Sequence, residues 1–477
     1  MSDLMASEVD LARRMDYIGI TVEGRTFRYD PDSSELYVDS RFPRNDSQGE
    51  SPQPGDESSR SCYEGENKRR GESGHVRSSC APGKMRTYKI TLNVTERCNL
   101  RCSYCVFSTD AYKHYRSHGE IDAQFEYNAK LLDRVFTTIP KAVIKRIAFF
   151  GSEPLLAFRL IKRVVEYIES SYPDHVCKYS ITTNGLLLSQ LRLSFLVNHD
   201  FDMAVSLDAP KALHDLRRVT PNNSATYDLI MSSLTYFRNT HPQAYSKKLR
   251  LSATYQSSEE VHKGLDEFAR LGIFNVDYGA LVYDISRDPI GTRNIAYRDE
   301  YLNSHFMQAF EKRDYNRMWL YGKYFLSFCS MFDRRMIFPK GYDPEYSFTH
   351  FCIPFSKAID VQANGELSFC NLVDHIRFDY VTPGEFMPRN DVIRSYMDSF
   401  EKFHENECKN CSIRRICSLC WVHYFNAKGE LSGDRLRQHC VQERRKVGEF
   451  LSIYVQLKLK DPDIFQLLDE NPPTNTV

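Results

Sequence analysis

The chain reads as an α/β protein, a partial (β/α)6 barrel followed by a small cysteine-rich domain. Three observations carry that expectation. From residue 87 onward, short apolar strand candidates alternate six times with amphipathic helical stretches, the pattern of a parallel sheet with crossover helices. Several polar motifs stand directly after strand ends, where barrel folds place their chemistry. Ten of the 14 cysteines fall into two groups with metal-like spacing, one behind the first barrel strand and one near the C-terminus.

The elements follow in order. Residues 1–40 form a small module, in which 17–28 and 35–38 alternate apolar and polar around an Asp30-Pro31-Asp32-Ser33-Ser34 turn, predicting a β-hairpin. Residues 41–85 hold almost no large apolar side chain and read as a disordered linker, with Cys62 and Cys80 as isolated thiols. The barrel occupies 86–335, with strands expected at 88–94, 146–150, 178–182, 202–206, 249–254 and 275–281. Helices are expected at 127–138, 158–170, 187–198, 227–238 and 261–271, and one helical stretch at 297–332. Six strands suit a barrel open on one side better than a closed eight-fold one. The cysteine-rich domain spans 345–450, and 451–477 is a C-terminal helix and tail whose polar end, after Leu459, is expected to fray.

Composition removes several classes of function. The 477 residues carry 63 Lys and Arg against 63 Asp and Glu, so no global basic field argues for nucleic acid. No apolar run approaches the length of a membrane span. The start, Met1-Ser2-Asp3-Leu4-Met5-Ala6, has no signal-peptide core, and cysteines in metal-like spacing suit a reducing compartment. A cytoplasmic location is therefore expected.

The densest signal is Cys98-x3-Cys102-x2-Cys105. Three thiolates this close, directly after a strand, cannot complete the four-cysteine set of an iron–sulfur cluster, so one iron stays open to a ligand that is not protein. A structural zinc site wants four closed ligands, usually as two C-x2-C pairs, which the x3 gap does not supply. Further motifs follow strand ends: Gly151-Ser152-Glu153-Pro154, Thr183-Asn184-Gly185, Ser206-Leu207-Asp208-Ala209-Pro210 and His214-Asp215-Leu216-Arg217-Arg218.

Together these resemble the radical S-adenosylmethionine (SAM) enzymes. The resemblance implies a [4Fe–4S] cluster on Cys98, Cys102 and Cys105 whose open iron chelates SAM through its amino and carboxylate groups. Reductive cleavage would then give a 5′-deoxyadenosyl radical. By the same resemblance Tyr104 packs by the adenine, while Gly151, Ser152, Glu153 and Pro154 form the family's G-G-E-P motif with serine at its second position. Glu153 would take the methionyl ammonium, Asn184, Ser206 and Asp208 the ribose hydroxyls and carboxylate edge, and Arg218 the SAM carboxylate. Plainer readings stand beside these: core packing for Tyr104, a helix cap and turn for Asn184, and a salt bridge for Arg218.

The second group runs Cys352-x12-Gly365-x4-Cys370, then Cys408-x2-Cys411-x5-Cys417-x2-Cys420, then Cys440. It resembles the SPASM domain, an auxiliary-cluster module of radical SAM maturases, which implies two further [4Fe–4S] clusters and three in all. The distal one would use Cys408, Cys411, Cys417 and Cys440, and the nearer one Cys352, Cys370 and Cys420. The family has x3 where this chain has x2 before Cys420, and a zinc module remains the alternative for C-x2-C-x5-C-x2-C. The stretch 106–118 looks like that of maturases which crosslink ribosomally made peptides, thioether formers included. Sulfatase maturases place an aspartate after the G-x4-C cysteine, where this chain has Asn371. Asp374 and His375 are the candidate bases. The resemblance implies a precursor peptide as substrate and a flavodoxin or ferredoxin as electron donor. The N-terminal hairpin is either a remnant of a leader-peptide grip, which works by strand addition, or a cover on the barrel.

Overall fold

A computed structural model describes residues 18–22, 25–30, 35–38, 87–105, 119–280, 299–333, 358–368, 377–380 and 432–476, and from 399–419 residues 399, 402–403, 406–408, 410–414, 416–417 and 419. The expected linker at 41–85, the 106–118 stretch, Cys352, Cys370, Cys420, Asp374 and His375 lie outside the described residues.

Twelve strands are described: β1 (Ile18–Val22), β2 (Arg25–Asp30), β3 (Glu35–Val38), β4 (Thr87–Asn93), β5 (Ile144–Phe150), β6 (Cys177–Thr183), β7 (Asp202–Ser206), β8 (Leu249–Tyr255), β9 (Val276–Ala280), β10 (Ala358–Val361), β11 (Glu366–Ser368) and β12 (Arg377–Tyr380). The helices are α1 (Phe125–Thr138), α2 (Phe158–Ser171), α3 (Gln190–Asn198), α4 (Lys211–Arg217), α5 (Tyr227–Thr240), α6 (Pro242–Lys248), α7 (Ser258–Arg270), α8 (Glu300–Glu311), α9 (Tyr315–Asp333), α10 (Gly433–Lys460) and α11 (Ile464–Glu470).

Strands β4 to β9 pair in chain order, every neighbour parallel. This is the six-stranded partial barrel. Alternation along each strand separates two faces. Tyr88, Ile90, Leu92, Ile147, Phe149, Tyr179, Ile181, Val205 and Leu251 are buried in the core with the helices. The opposite face carries Lys89, Thr91, Asn93, Arg146, Ser180, Thr182 and Ser206, so the concave side is polar. Local chemistry sets the helix starts: the Ser257 hydroxyl takes the Glu260 N–H at 3.3 Å before α7, and Asp299 takes the Leu302 N–H at 3.1 Å before α8.

Four features depart from the expectations. The barrel sheet continues past β4, because β10 pairs parallel to β4 and carries β11 and β12 antiparallel behind it. Asn93 fixes that edge, its amide donating to the Asp360 carboxylate at 2.8 Å and the Val361 carbonyl at 2.9 Å. The N-terminal module has three strands, since the 17–28 run folds back between Val22 and Arg25, a two-residue connection containing Gly24. The 297–332 stretch is two helices, broken where Arg313 takes a φ of +52° and the Asp314 carboxylate accepts the Arg317 N–H at 3.1 Å.

The tail is packed rather than frayed. Asn475 is buried, and its carbonyl oxygen accepts from the N–H groups of Phe274 and Asn275, each at 3.1 Å. Its amide donates to the carbonyls of Leu249 and Tyr245 at 3.0 and 3.3 Å. One polar side chain thus ties the chain end to the start of β8 and β9, which composition alone cannot show.

Candidate active site

The loop after β4 is held on both sides by backbone bonds. On the β5 side, the N–H groups of Ser152 and Glu153 donate to the carbonyls of Thr95 and Arg97, both at 3.0 Å. On the α4 side, those of Arg101 and Ser103 donate to Val219 at 2.7 Å and Arg217 at 2.9 Å. Gly151 makes the first contact possible. Its φ is +126°, and a Cβ there would lie 2.4 Å from the Thr95 carbonyl oxygen.

Cys98, Cys102 and Cys105 lie on this loop, and none of them is in a disulfide. Burial pushes Cys98 up to about 11 and Cys102 up to about 12, and the Cys105 thiol adds to both shifts. Arg218 works against burial at Cys102 by favouring the thiolate. The Leu100 N–H points at the Cys98 sulfur from 3.4 Å. Among the described residues no three His, Cys, Asp or Glu side chains close on one point as ligands of a single ion do. The triplet is a set of neighbours at electrostatic range, with a cation and an N–H donor beside the sulfurs. That donor set fits a cluster held by three thiolates.

Behind the triplet stands a buried polar group built from three elements. Asp208, at the end of β7, is fully buried and accepts from the Tyr104 hydroxyl at 2.6 Å, Arg218 Nε at 2.9 Å and the Thr254 N–H at 2.8 Å. A second Arg218 contact, Nη2 to Oδ1, measures 3.4 Å. Burial opposes ionisation of Asp208, but Arg218 and these donors outweigh it and hold the carboxyl below its ordinary range. The guanidinium also lies 5.2 Å from the centre of the Tyr104 ring. His214 completes the corner. Its Nδ1 accepts the Asp208 N–H at 3.2 Å, and its Nε2 faces the Thr226 hydroxyl at 3.0 Å. That hydroxyl donates to the Arg218 carbonyl at 2.6 Å, so Nε2 carries the proton and the ring is neutral.

Glu153 is the second buried anchor. It accepts from Leu155 N–H at 3.0 Å, the Thr183 hydroxyl at 2.7 Å and Asn184 N–H at 2.7 Å. Burial raises its pKa and those three bonds oppose the shift. Asn184 in turn donates to Asn99 in the triplet loop at 2.8 Å and accepts the Leu186 N–H at 3.1 Å. Ser206 ends β7 on the concave face.

Tyr104, Asn184, Asp208 and Arg218 therefore converge on the triplet, while Gly151, Ser152, Glu153 and Pro154 brace its loop. Read from the sequence, Glu153, Asp208 and Arg218 face SAM. In the structure all three are buried and hydrogen-bonded: Glu153 to Leu155, Thr183 and Asn184, and Asp208 to Arg218 and Thr254. Sequence reasoning gave no role to Asn99, inside the triplet loop, or to Thr183, the first residue of the Thr183-Asn184-Gly185 motif. It named Arg218, and not the adjacent Arg217, for the SAM carboxylate. The structure separates them: Arg218 pairs with Asp208, and Arg217 with Glu260 at 2.5 and 3.0 Å.

Four cysteines of the second group lie within electrostatic range of one another near the start of α10. Cys408, Cys411 and Cys417 precede that helix, and Cys440 lies on it. Burial raises Cys408 and Cys417 well above the ordinary range and Cys440 to about 11, and neighbouring thiols of the same set add to each shift. Arg444 Nη1 lies 3.9 Å from the Cys411 sulfur.

Residues 92–243 match the Radical SAM superfamily. This stretch is a radical SAM domain. It contains the triplet, the Glu153 brace and the Asp208–Arg218 pair. The cysteine-type anaerobic sulfatase-maturating enzyme of Clostridium novyi is 23% identical over 340 residues, 68% of this chain and 84% of that protein. The radical SAM cyclopropyl synthase TigE of Paramaledivibacter caminithermalis is 30% identical over 132 residues, 26% of this chain and 28% of its own. An uncharacterized protein of Methanocaldococcus jannaschii is 28% identical over 141 residues, 30% of this chain. The chain spans 46% of that last protein's length and 28% of TigE's. Among solved structures, tagged anSMEcpe with bound AdoMet superposes with a TM-score of 0.58 at 18% identity, covering 80% of this chain and 98% of the other. At that identity the likeness is one of fold, and it extends beyond the radical SAM domain. Among the described residues no helix is long and apolar enough to cross a membrane.

Proposed function

We propose that this protein is a radical SAM maturase that abstracts a hydrogen from a residue of a ribosomally made precursor peptide and closes a crosslink there, a thioether being favoured. The observation that carries the reading is the grouping of Cys408, Cys411, Cys417 and Cys440 behind a radical SAM domain. A SAM-cleaving enzyme has no need of a second buried thiol set, whereas a two-electron oxidation of a peptide needs somewhere to send the second electron. When bound, the cluster and SAM supply the electron and the hydrogen-abstracting 5′-deoxyadenosyl group.

The chain's own groups hold and orient. Cys98, Cys102 and Cys105 would hold the first cluster. Arg218, kept in place by Asp208, keeps a positive charge beside Cys102 and presents further N–H donors for a carboxylate. Tyr104, its hydroxyl fixed on Asp208, offers a ring face of set orientation for an adenine. Asn184 and Ser206 stand at neighbouring strand ends, within the reach that ribose hydroxyls require. Cys352, Cys370 and Cys420 would serve the nearer auxiliary cluster, with Asp374 and His375 as the candidate bases. A flavodoxin or ferredoxin would deliver the electron.

A second reading is favoured by one observation. The Clostridium novyi sulfatase-maturating enzyme aligns over 84% of its own length, which supports oxidation of a single cysteine on a protein substrate. The two readings leave different products. Co-expression with a short open reading frame from the same gene neighbourhood, followed by mass spectrometry, tests them. A precursor lighter by two hydrogens, with one cysteine blocked to alkylation and no new carbonyl, is the expected result. A new carbonyl in place of a cysteine thiol selects the sulfatase-type reading, and an unchanged mass rejects that peptide pairing.

A further inference from the structure

Lys89, Arg146 and Lys178 stand side by side across three adjacent strands. The parallel register makes Lys89 the partner of Arg146 on β5, and Arg146 the partner of Lys178 on β6. All three are exposed. They project to the concave face, since the alternating residues Tyr88, Lys145, Ile147, Cys177 and Tyr179 turn toward the helix layer. Like charges set directly across neighbouring strands repel and destabilise a sheet. Among the described residues no carboxylate forms an ion pair with any of the three. The acids on this face of the flanking strands β7 and β10 have other partners: Asp202 pairs with Lys248 at 3.4 Å, and Asp360 accepts from Asn93 at 2.8 Å.

Two ordinary explanations do not fit. Lysines commonly blunt exposed sheet edges, but β4, β5 and β6 are internal strands with neighbours on both sides. Nor does the row reflect a basic protein, because the whole chain carries 63 positive and 63 negative residues. The cations are concentrated here. On the same three strands the next layer, Thr91, Ala148 and Ser180, is uncharged, and Asp360 on β10 and Asp202 on β7 flank it.

We propose that the Lys89–Arg146–Lys178 row is a docking site for an acidic stretch of the substrate peptide, one with carboxylates at alternate positions (Asp/Glu-x-Asp/Glu). This deepens, and rests on, the peptide-maturase reading. The spacing supports it. Three cations on neighbouring strands span roughly 10 Å, and alternate side chains of an extended peptide stand roughly 7 Å apart, within reach of long Lys and Arg side chains. The row also sets a distance. Lys89 lies four residues before Asn93, the end of the strand that leads into the triplet loop, or roughly 13 Å of strand. An extended peptide anchored on the row must therefore place its modified residue at least about four positions from its acidic pair.

The test uses the full-length, anaerobically reconstituted protein and a fluorescein-labelled synthetic peptide with two Glu-x-Glu repeats, beside its Glu→Gln counterpart. Fluorescence anisotropy should show the acidic peptide binding about tenfold more tightly at low salt, the sum expected of a few exposed ion pairs, with the preference shrinking as salt rises. Joint replacement Lys89→Ser, Arg146→Ser and Lys178→Ser should erase the preference. The charge-keeping set Lys89→Arg, Arg146→Lys and Lys178→Arg should retain it, which separates loss of charge from loss of fold. Equal binding of the two peptides, or a preference that survives the serine set, overturns the proposal. So does a single-stranded RNA that displaces the acidic peptide and depends on the same three residues, since the row would then serve a different partner. Binding is read without turnover, so a negative result here leaves the SAM-cleavage reading untouched, and failure of wild-type SAM cleavage would overturn that reading alone.

Discussion

Lowering the pH from 7 to 5 should destabilise the site through one residue, His214. The ring is fully buried, with Nδ1 accepting the Asp208 N–H and Nε2–H donating to Thr226. A proton added at Nδ1 would face an N–H donor, with the Arg218 guanidinium nearby. Burial first, and Arg218 second, lower the His214 pKa from 6.5 to about 4. The unfolded chain therefore binds the proton first as the pH falls. Stability is full above pH 6.5, declines between 6.5 and about 4, and levels off below. The gap corresponds to about 3 kcal/mol in total, of which about 2 kcal/mol is lost between pH 7 and pH 5. Urea unfolding of wild type and His214→Asn at the two pH values isolates this contribution, because every other titration is common to both. Wild type should lose about 2 kcal/mol more than the variant over that interval. Parallel pH profiles would refute the buried neutral ring.

Three further outcomes are expected. Gly151→Ala puts a Cβ 2.4 Å from the Thr95 carbonyl at a φ of +126°; the backbone strain alone costs about 1–3 kcal/mol, and iron analysis should show the triplet cluster lost while circular dichroism keeps the α/β signal. Asp208→Asn keeps the shape but leaves Arg218 buried against an amide N–H; breaking such a pair costs about 3–5 kcal/mol, so equilibrium dialysis should show SAM binding weakened far more than by Arg217→Lys. Asn475→Ala strips the partners from two inward N–H groups and should cost about 3 kcal/mol in urea unfolding, with SAM cleavage by the folded protein unchanged.

The barrel was legible because each strand is a short apolar run and each crossover helix an amphipathic one. The expected 202–206 and 249–254 strands match β7 and β8 within a residue. Parts that depend on chain-distant partners were not legible. Nothing local marks β10, four residues long, as the strand that zips onto β4, since its partner lies more than 260 residues away. The tail is polar, and a polar tail reads as frayed until Asn475 is seen to satisfy backbone groups of β8 and β9. At the site, spacing identified the triplet and the strand-end motifs. It could not reveal that Glu153 braces β6, or that Tyr104, Asp208 and Arg218 form one hydrogen-bonded group. Those facts depend on loops meeting from separate strands.

The central claim is that Cys98, Cys102 and Cys105 hold a cluster that cleaves SAM. The most direct measurement is anaerobic reconstitution with iron and sulfide, reduction with dithionite, and chromatography of the products formed from SAM. Wild type is expected to be brown and to release 5′-deoxyadenosine, whereas replacing all three cysteines with alanine should abolish release and leave only the iron of the C-terminal thiols. Release that persists in the triple variant, or a colourless wild type loaded with zinc, would contradict the account.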